Sequence, residues 1–162
     1  MKKILSSLLS VLILLCLFSC SQKSYRDDVS CTELTQRLID EADIEGGYEA
    51  YTKENIDLLL DISDLYNDFS VIYSIDANDI NEIGVFHSEG KKQAEELFKA
   101  VEKYVTDMQK NQIAFISSYA PHEVPKLKKA TVKKYGHYVI YAIADDKTQE
   151  DFFDEVKDIL AK

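Results

Sequence analysis

The side chains able to do chemistry in this chain are three cysteines, three histidines and an excess of carboxylates, together with a lysine run. A thiolate is the good nucleophile among side chains, so Cys16, Cys20 and Cys31 come first. An odd number of thiols is not a disulfide framework. Cys16 lies inside an apolar run from Ile4 to Phe18, and Cys20 follows the end of that run. Cys31 falls with Leu34, Leu38 and Ala42 at helical spacing, with Ile39 beside them. On such a face a buried structural thiol is expected, which argues against a Cys–His enzyme built on Cys31.

The histidines are His87, His122 and His137. They show no His-x-His or His-x3-His spacing, and a zinc site needs three or four converging ligands. His87 with Glu89 and His122 with Glu123 are the nearest ligand pairs. Surface or half-buried histidines are expected instead, with no metal and no cofactor. Asp76, Asn78, Asp79, Asn81 and Glu82 only superficially resemble a calcium loop. That pattern needs glycine at its sixth position and an acid at its twelfth, where this chain has Asn81 and His87. A hairpin turn accounts for the same residues. There is no Gly-x-Ser-x-Gly and no glycine run to cradle phosphate. No catalytic residue is expected, and the reading is a non-enzyme.

One basic stretch stands out, Lys126 to Lys134 (KLKKATVKK). A lysine-guarded edge strand explains it, because lysines block edge-to-edge pairing. The functional alternative is a contact for an anionic polymer or headgroups through Lys128, Lys129, Lys133 and Lys134. Tyr135, Tyr138 and Tyr141 lie close to it. Tyrosines on a strand usually pack, and in an exposed patch they stack on a sugar or a partner.

Met1, Lys2 and Lys3 precede the apolar run, the layout of an export signal. The run is shorter than the about 20 apolar residues that span a bilayer. Its end, Leu17-Phe18-Ser19-Cys20, resembles the bacterial lipobox. Leu17 and Ser19 fit that pattern, while Phe18 is larger than its slot usually holds. The resemblance implies diacylglycerol on Cys20 and cleavage before it, giving a palmitate-type membrane anchor on the extracytoplasmic face of the cell membrane. Two acyl chains hold where one gives only marginal binding. Removing residues 1–19 takes away Lys2 and Lys3 and no acid, so 19 basic residues become 17 against 29 acidic, a net charge of −12. That argues against nucleic acid and against charge-driven binding to anionic lipid, so a covalent anchor fits.

These side chains need elements to place them. Residues 1–19 read as a lipoprotein signal peptide and 20–29 as the lipidated cysteine with a short polar tether. Residues 30–162 read as one domain. Ser30-x-x-Glu33 is a capping-box pattern opening the Cys31 helix, which Gly46-Gly47 ends. Thr52 caps a helix from Glu54 to Ile62. Phe69, Val71, Tyr73 and Ile75 alternate as a strand, Asp76 to Asp79 turn, and Glu82 to His87 return. A long amphipathic helix follows from Lys91, with Ala94, Leu97, Phe98, Val101, Val105 and Met108 on one face. Pro121 and Pro125 share a loop. Ala130 to Lys134 is a polar strand, Tyr135-Gly136 a tight turn, and His137 to Ala144 an almost continuously apolar central strand. Thr148 caps the last helix, which buries Phe152, Phe153, Val156, Ile159 and Leu160. The fold class is α+β: two strand–strand–helix units form a mostly antiparallel sheet of about four strands, with both unit helices on one face. The additional N-terminal helices cover an edge or an end.

Asp79 to Phe86 (DINEIGVF), the helix after it, Tyr119-Ala120-Pro121 and Tyr135 to Val139 (YGHYV) resemble the lipoproteins grouped as domain of unknown function 4358. Those are mainly small secreted proteins of Gram-positive, clostridia-like bacteria, and the resemblance covers roughly the C-terminal two thirds. It implies a class and a compartment, with no catalytic or binding residues to carry over. The resulting expectation is a membrane-anchored, non-enzymatic interaction or binding module at the membrane–wall interface, with a protein, wall polymer or small ligand as partner. A small-ligand-binding lipoprotein and a wall hydrolase are the alternatives.

Overall fold

The computed structural model describes residues 24–41 and 47–162. The expected signal peptide, residues 1–19, and the lipid site Cys20 lie outside the described residues, as do Ala42 and Gly46. In chain order the elements are α1 (Cys31–Glu41), β1 (Tyr48–Ala50), α2 (Lys53–Leu60), β2 (Asp68–Ser74) and β3 (Glu82–His87). Then come α3 (Lys91–Asn111), α4 (Ile113–Tyr119), a 3-10 turn (Pro121–Glu123) and α5 (Val124–Lys129). Last are β4 (Thr131–Tyr135), β5 (Tyr138–Ile143) and α6 (Asp146–Leu160). The strands form one sheet in the order β1-β2-β3-β5-β4, antiparallel throughout. The α+β class and the two strand–strand–helix units stand. Among the described residues the count rises to five strands, because the three residues of β1 add an edge beside β2.

β3 and β5 occupy the middle, and β5 is buried along its whole length. Their side chains alternate between two cores. Ile83, Val85, Tyr138, Ile140 and Ala142 join α1 and α6 on one face. Phe86, Val139, Tyr141 and Ile143 join α3, with Ile56, Ile116 and Leu127, on the other. The helices of the two units therefore lie on opposite faces, not on one. The Cys31 helix likewise covers a face beside α6 rather than an edge or an end. A continuously apolar strand is buried on both sides, so each face needs its own helical layer.

Side-chain capping explains the starts of α1, α2 and α6. Ser30 Oγ accepts from the Glu33 N–H at 3.1 Å, opening α1. Thr52 and Asn55 form a reciprocal capping box at α2. The last helix departs from expectation. Asp145 is its cap, accepting the Thr148 N–H at 3.0 Å and the Thr148 hydroxyl at 2.6 Å, so the helix opens at Asp146. The proline segment is also not a loop. Pro121 and Pro125 stand at the first positions of two short helical turns, where a missing N–H is harmless. In the β4–β5 hairpin the connection is Gly136-His137, because Tyr135 pairs with Tyr138. Gly136 has φ +62°, the sign that the first residue of such a two-residue turn requires.

The described part of the expected tether lies against the domain. Arg26 N–H donates to Leu160 C=O at 2.9 Å, and Tyr25 bridges to Ala161. The Tyr138 hydroxyl accepts from Val29 N–H at 3.1 Å and donates to Val29 C=O at 2.6 Å.

Candidate functional site

The first candidate is built where β2, β3 and the α3–α4 junction meet. Glu82, the first residue of β3, is buried at 6% exposure. Its Oε1 accepts from Tyr141 at 2.5 Å and from Tyr104 at 3.0 Å, and its Oε2 accepts from Tyr51 at 3.4 Å. Burial pushes the Glu82 carboxyl above the usual carboxylate range, and the tyrosine hydroxyls pull the other way without cancelling it. Burial and the Glu82 charge raise Tyr51 to about 12 and hold Tyr104 and Tyr141 higher still. At neutral pH these phenols are donors.

Above this cluster lies a cleft of about 240 Å³. Tyr51, Tyr73, Asn81 and Met108 line it with Glu82, and Phe115 and Tyr119 of α4 form its rim. Phe115 and Tyr119 are exposed and tilt against each other with ring centroids 4.9 Å apart. Asn81 turns its Nδ2 toward the Tyr48 hydroxyl at 3.4 Å, and its Oδ1 is buried without a hydrogen-bond partner among the described residues. Asp79, also at the cleft, is held by Lys126 at 2.9 Å, and Lys126 reaches the buried Glu123 at 2.8 Å. Of the acids that superficially resemble a calcium loop, Asp76 thus serves a turn, Asp79 an ion pair and Glu82 the tyrosine cluster.

Sequence reading did not find this cleft. The tyrosines come from a loop, a helix and a strand, and carry no spacing signature. The alternation of β3 and β5 was the available signal, since it puts Glu82 and Tyr141 near one another only once their register is known.

The second candidate gathers two histidines that spacing left apart. His87 closes β3 and pairs with Tyr138 across the ladder, so His137 on the adjoining turn comes alongside. The ring centroids are 6.1 Å apart. Asp27 of the N-terminal segment reaches both, with Oδ1 2.8 Å from His87 Nε2 and Oδ2 3.0 Å from His137 Nδ1. Burial acts to raise the Asp27 carboxyl, but the His87 hydrogen bond and the His137 charge outweigh it and hold it below the usual range. His122 stands elsewhere, exposed on the 3-10 turn and 3.6 Å from Glu123.

The four candidate lysines divide between two elements. Lys128 and Lys129 are exposed on α5, and Lys133 and Lys134 belong to β4, an edge strand as the guarding reading expects. Lys129 pairs with Asp146 and Lys134 with Glu95. Lys133 lies 4.0 Å over the Phe153 ring. Cys31 is fully buried, and burial followed by the Asp68 carboxylate pushes its thiol far up.

Residues 40–144 match the family described as Domain of unknown function (DUF4358), a span running from the end of α1 through β5. No curated protein and no solved structure matches the chain.

Proposed function

This chain belongs to the DUF4358 family, and from that premise we propose that it is a lipid-anchored extracytoplasmic binding module at the membrane–wall interface. Its contact site is the aromatic cleft above Glu82. The observation that carries this reading is the exposed Phe115–Tyr119 pair at the rim of a cleft that Tyr51 and Tyr73 also line. Aromatic faces beside phenol hydroxyls suit a group with hydrogen-bonding edges and an apolar side, such as a sugar unit or a polar side chain. The cleft, about 240 Å³, is smaller than the roughly 300–1,000 Å³ of pockets that enclose a whole small ligand. It fits a group projecting from a polymer or protein, which favours a contact module over a solute carrier. A hydrolase reading gains no support, because Glu82 is occupied by tyrosine hydroxyls and Asp79 by Lys126.

The test is in vivo crosslinking and pull-down with lipidation at Cys20 intact, in the parent and in Phe115→Ala and Tyr119→Ala variants. Recovery of a saccharide polymer or protein partner is expected from the parent. Each substitution is expected to weaken capture by about tenfold, roughly 1.4 kcal/mol. Recovery of nothing above background, or capture indifferent to both substitutions, overturns the reading. Cys20→Ala is expected to leave the protein unprocessed or release it from the membrane.

A further inference from the structure

The cluster of Asp27, His87 and His137 has no part in the cleft, and its geometry is that of a ligand set. One ligand atom from each residue lies within 4.8 Å of the other two. The carboxylate contacts, at 2.8 and 3.0 Å, are shorter than the roughly 3.3–3.5 Å that tetrahedral zinc imposes between ligand atoms, so Asp27 draws back by about half an ångström to admit the ion.

The surroundings of His87 make the same point. Its Nδ1 is 2.8 Å from Asn67 Oδ1, an acceptor. With the proton on Nδ1, neutral His87 turns the Nε2 lone pair toward an Asp27 carboxylate oxygen. In that tautomer the two electron-rich atoms, 2.8 Å apart, are joined by a cation, which is either a second proton or a metal ion. A carbonyl that fixes the tautomer in this way is the usual outer partner of a metal-bound histidine. The ring is also clamped, with the Tyr138 ring 4.6 Å from it.

We propose that His87, His137 and Asp27 form a zinc site that clips the N-terminal segment to the end of the sheet. Two imidazoles and one carboxylate suit a borderline cation, whereas calcium and magnesium take oxygen ligands. Three protein ligands leave one of zinc's four positions open. Asp27 and His137 also line a cavity of about 450 Å³ whose walls include Tyr25, Glu95 and Lys134. The chain order explains the missing motif: the ligands sit at positions 27, 87 and 137, and only the β3–β5 register and the docked N-terminal segment unite them.

The experiment titrates zinc chloride into the full chain in detergent, in a Cys16→Ser, Cys20→Ser background so that those thiols do not compete. The proposal expects one zinc per chain by calorimetry and a tetrahedral visible spectrum on cobalt substitution. His87→Ala, His137→Gln and Asp27→Asn are each expected to weaken binding by at least about tenfold, and Asn67→Ala by about 10–100-fold as an outer partner. His122→Ala is expected to bind as the parent does. Circular dichroism and melting without zinc verify that each variant is folded, and His137→Gln, on a turn, is the variant least exposed to misfolding. Zinc is also expected to slow tryptic cleavage after Arg26 in the parent and not in the Asp27→Asn variant. Absence of saturable binding, or equal binding in a His87→Ala, His137→Gln double variant, overturns the site, the second outcome leaving the bond to Asp27 a proton-mediated ion pair. Zinc binding with unchanged cleavage after Arg26 overturns the clip.

Discussion

Gly84 and Tyr141 are partners across the β3–β5 ladder, and the tyrosine ring occupies the space that a Cβ on Gly84 would need. The glycine lets the ring lie flat over β3 and carry its hydroxyl to Glu82, two residues back along the strand. Close approach is the reason for glycine here.

Gly84→Ala is therefore expected to push Tyr141 aside and destabilise the domain by about 1–3 kcal/mol, the usual effect of overpacking a core. Thermal unfolding read by circular dichroism checks this. A melting temperature equal to the parent's would show that the ring moves freely.

Glu82 makes stability depend on pH in a definite direction. Its folded value lies above the ordinary 4.5, so the folded state holds a proton that the unfolded chain has already released. The contribution is fully present below about pH 4.5 and is lost as pH rises through the folded value. Glu82→Gln keeps an acceptor for the tyrosines without the charge. The variant is expected to gain on the parent between pH 5 and 8 and to match it near pH 4, in denaturant titrations at each pH. A constant difference across that range would contradict the assignment.

Tyr138→Phe removes a hydroxyl bonded to both the N–H and the C=O of Val29. Leaving those groups unpaired is expected to cost about 1–3 kcal/mol. Limited proteolysis is expected to open first after Arg26, as the N-terminal segment loosens from the sheet. Unchanged cleavage there would assign the docking to the segment's other contacts, Arg26 with Leu160 and Asp27 with His87 and His137.

The lysines answer to a salt-dependent test. Lys129, Lys133 and Lys134 already face Asp146, Phe153 and Glu95. Replacing these and Lys128 by glutamine in a non-lipidated form is expected to leave surface association at low salt unchanged. A drop that vanishes at high salt would mark an anionic partner instead.

Cys31 is expected to resist maleimide at pH 7–8 until the domain unfolds, because burial holds it as a thiol. Cys31→Ala is expected to leave membrane attachment intact. Rapid labelling of the folded protein would contradict the burial of this helix face.

Much of the fold was legible because its signals are local. Ser30 and Thr52 announce two helix starts through their own side chains. The alternation of Phe69, Val71 and Tyr73 marks a strand, and the spacing of Ala94, Leu97, Val101 and Val105 marks a buried helix stripe. β1 escaped because three residues are too few to show a period. The Pro121–Lys129 turns escaped because proline at a helix start reads, residue by residue, like proline in a loop.

By itself, then, the sequence determined what depends on neighbours along the chain: the elements, their class, the exposure-prone acidic surface and the expectation of a lipid on Cys20. Tertiary structure alone decided what depends on pairing at a distance. Whether α3 and α6 share a face follows from the burial of both sides of β3 and β5. That Glu82 meets Tyr51, Tyr104 and Tyr141, and that Asp27 meets His87 and His137, follows from strand register and from the docking of the N-terminal segment. A one-residue slip in register would send the strand residues Glu82, His87 and Tyr141 to the opposite face, so no local pattern encodes these meetings.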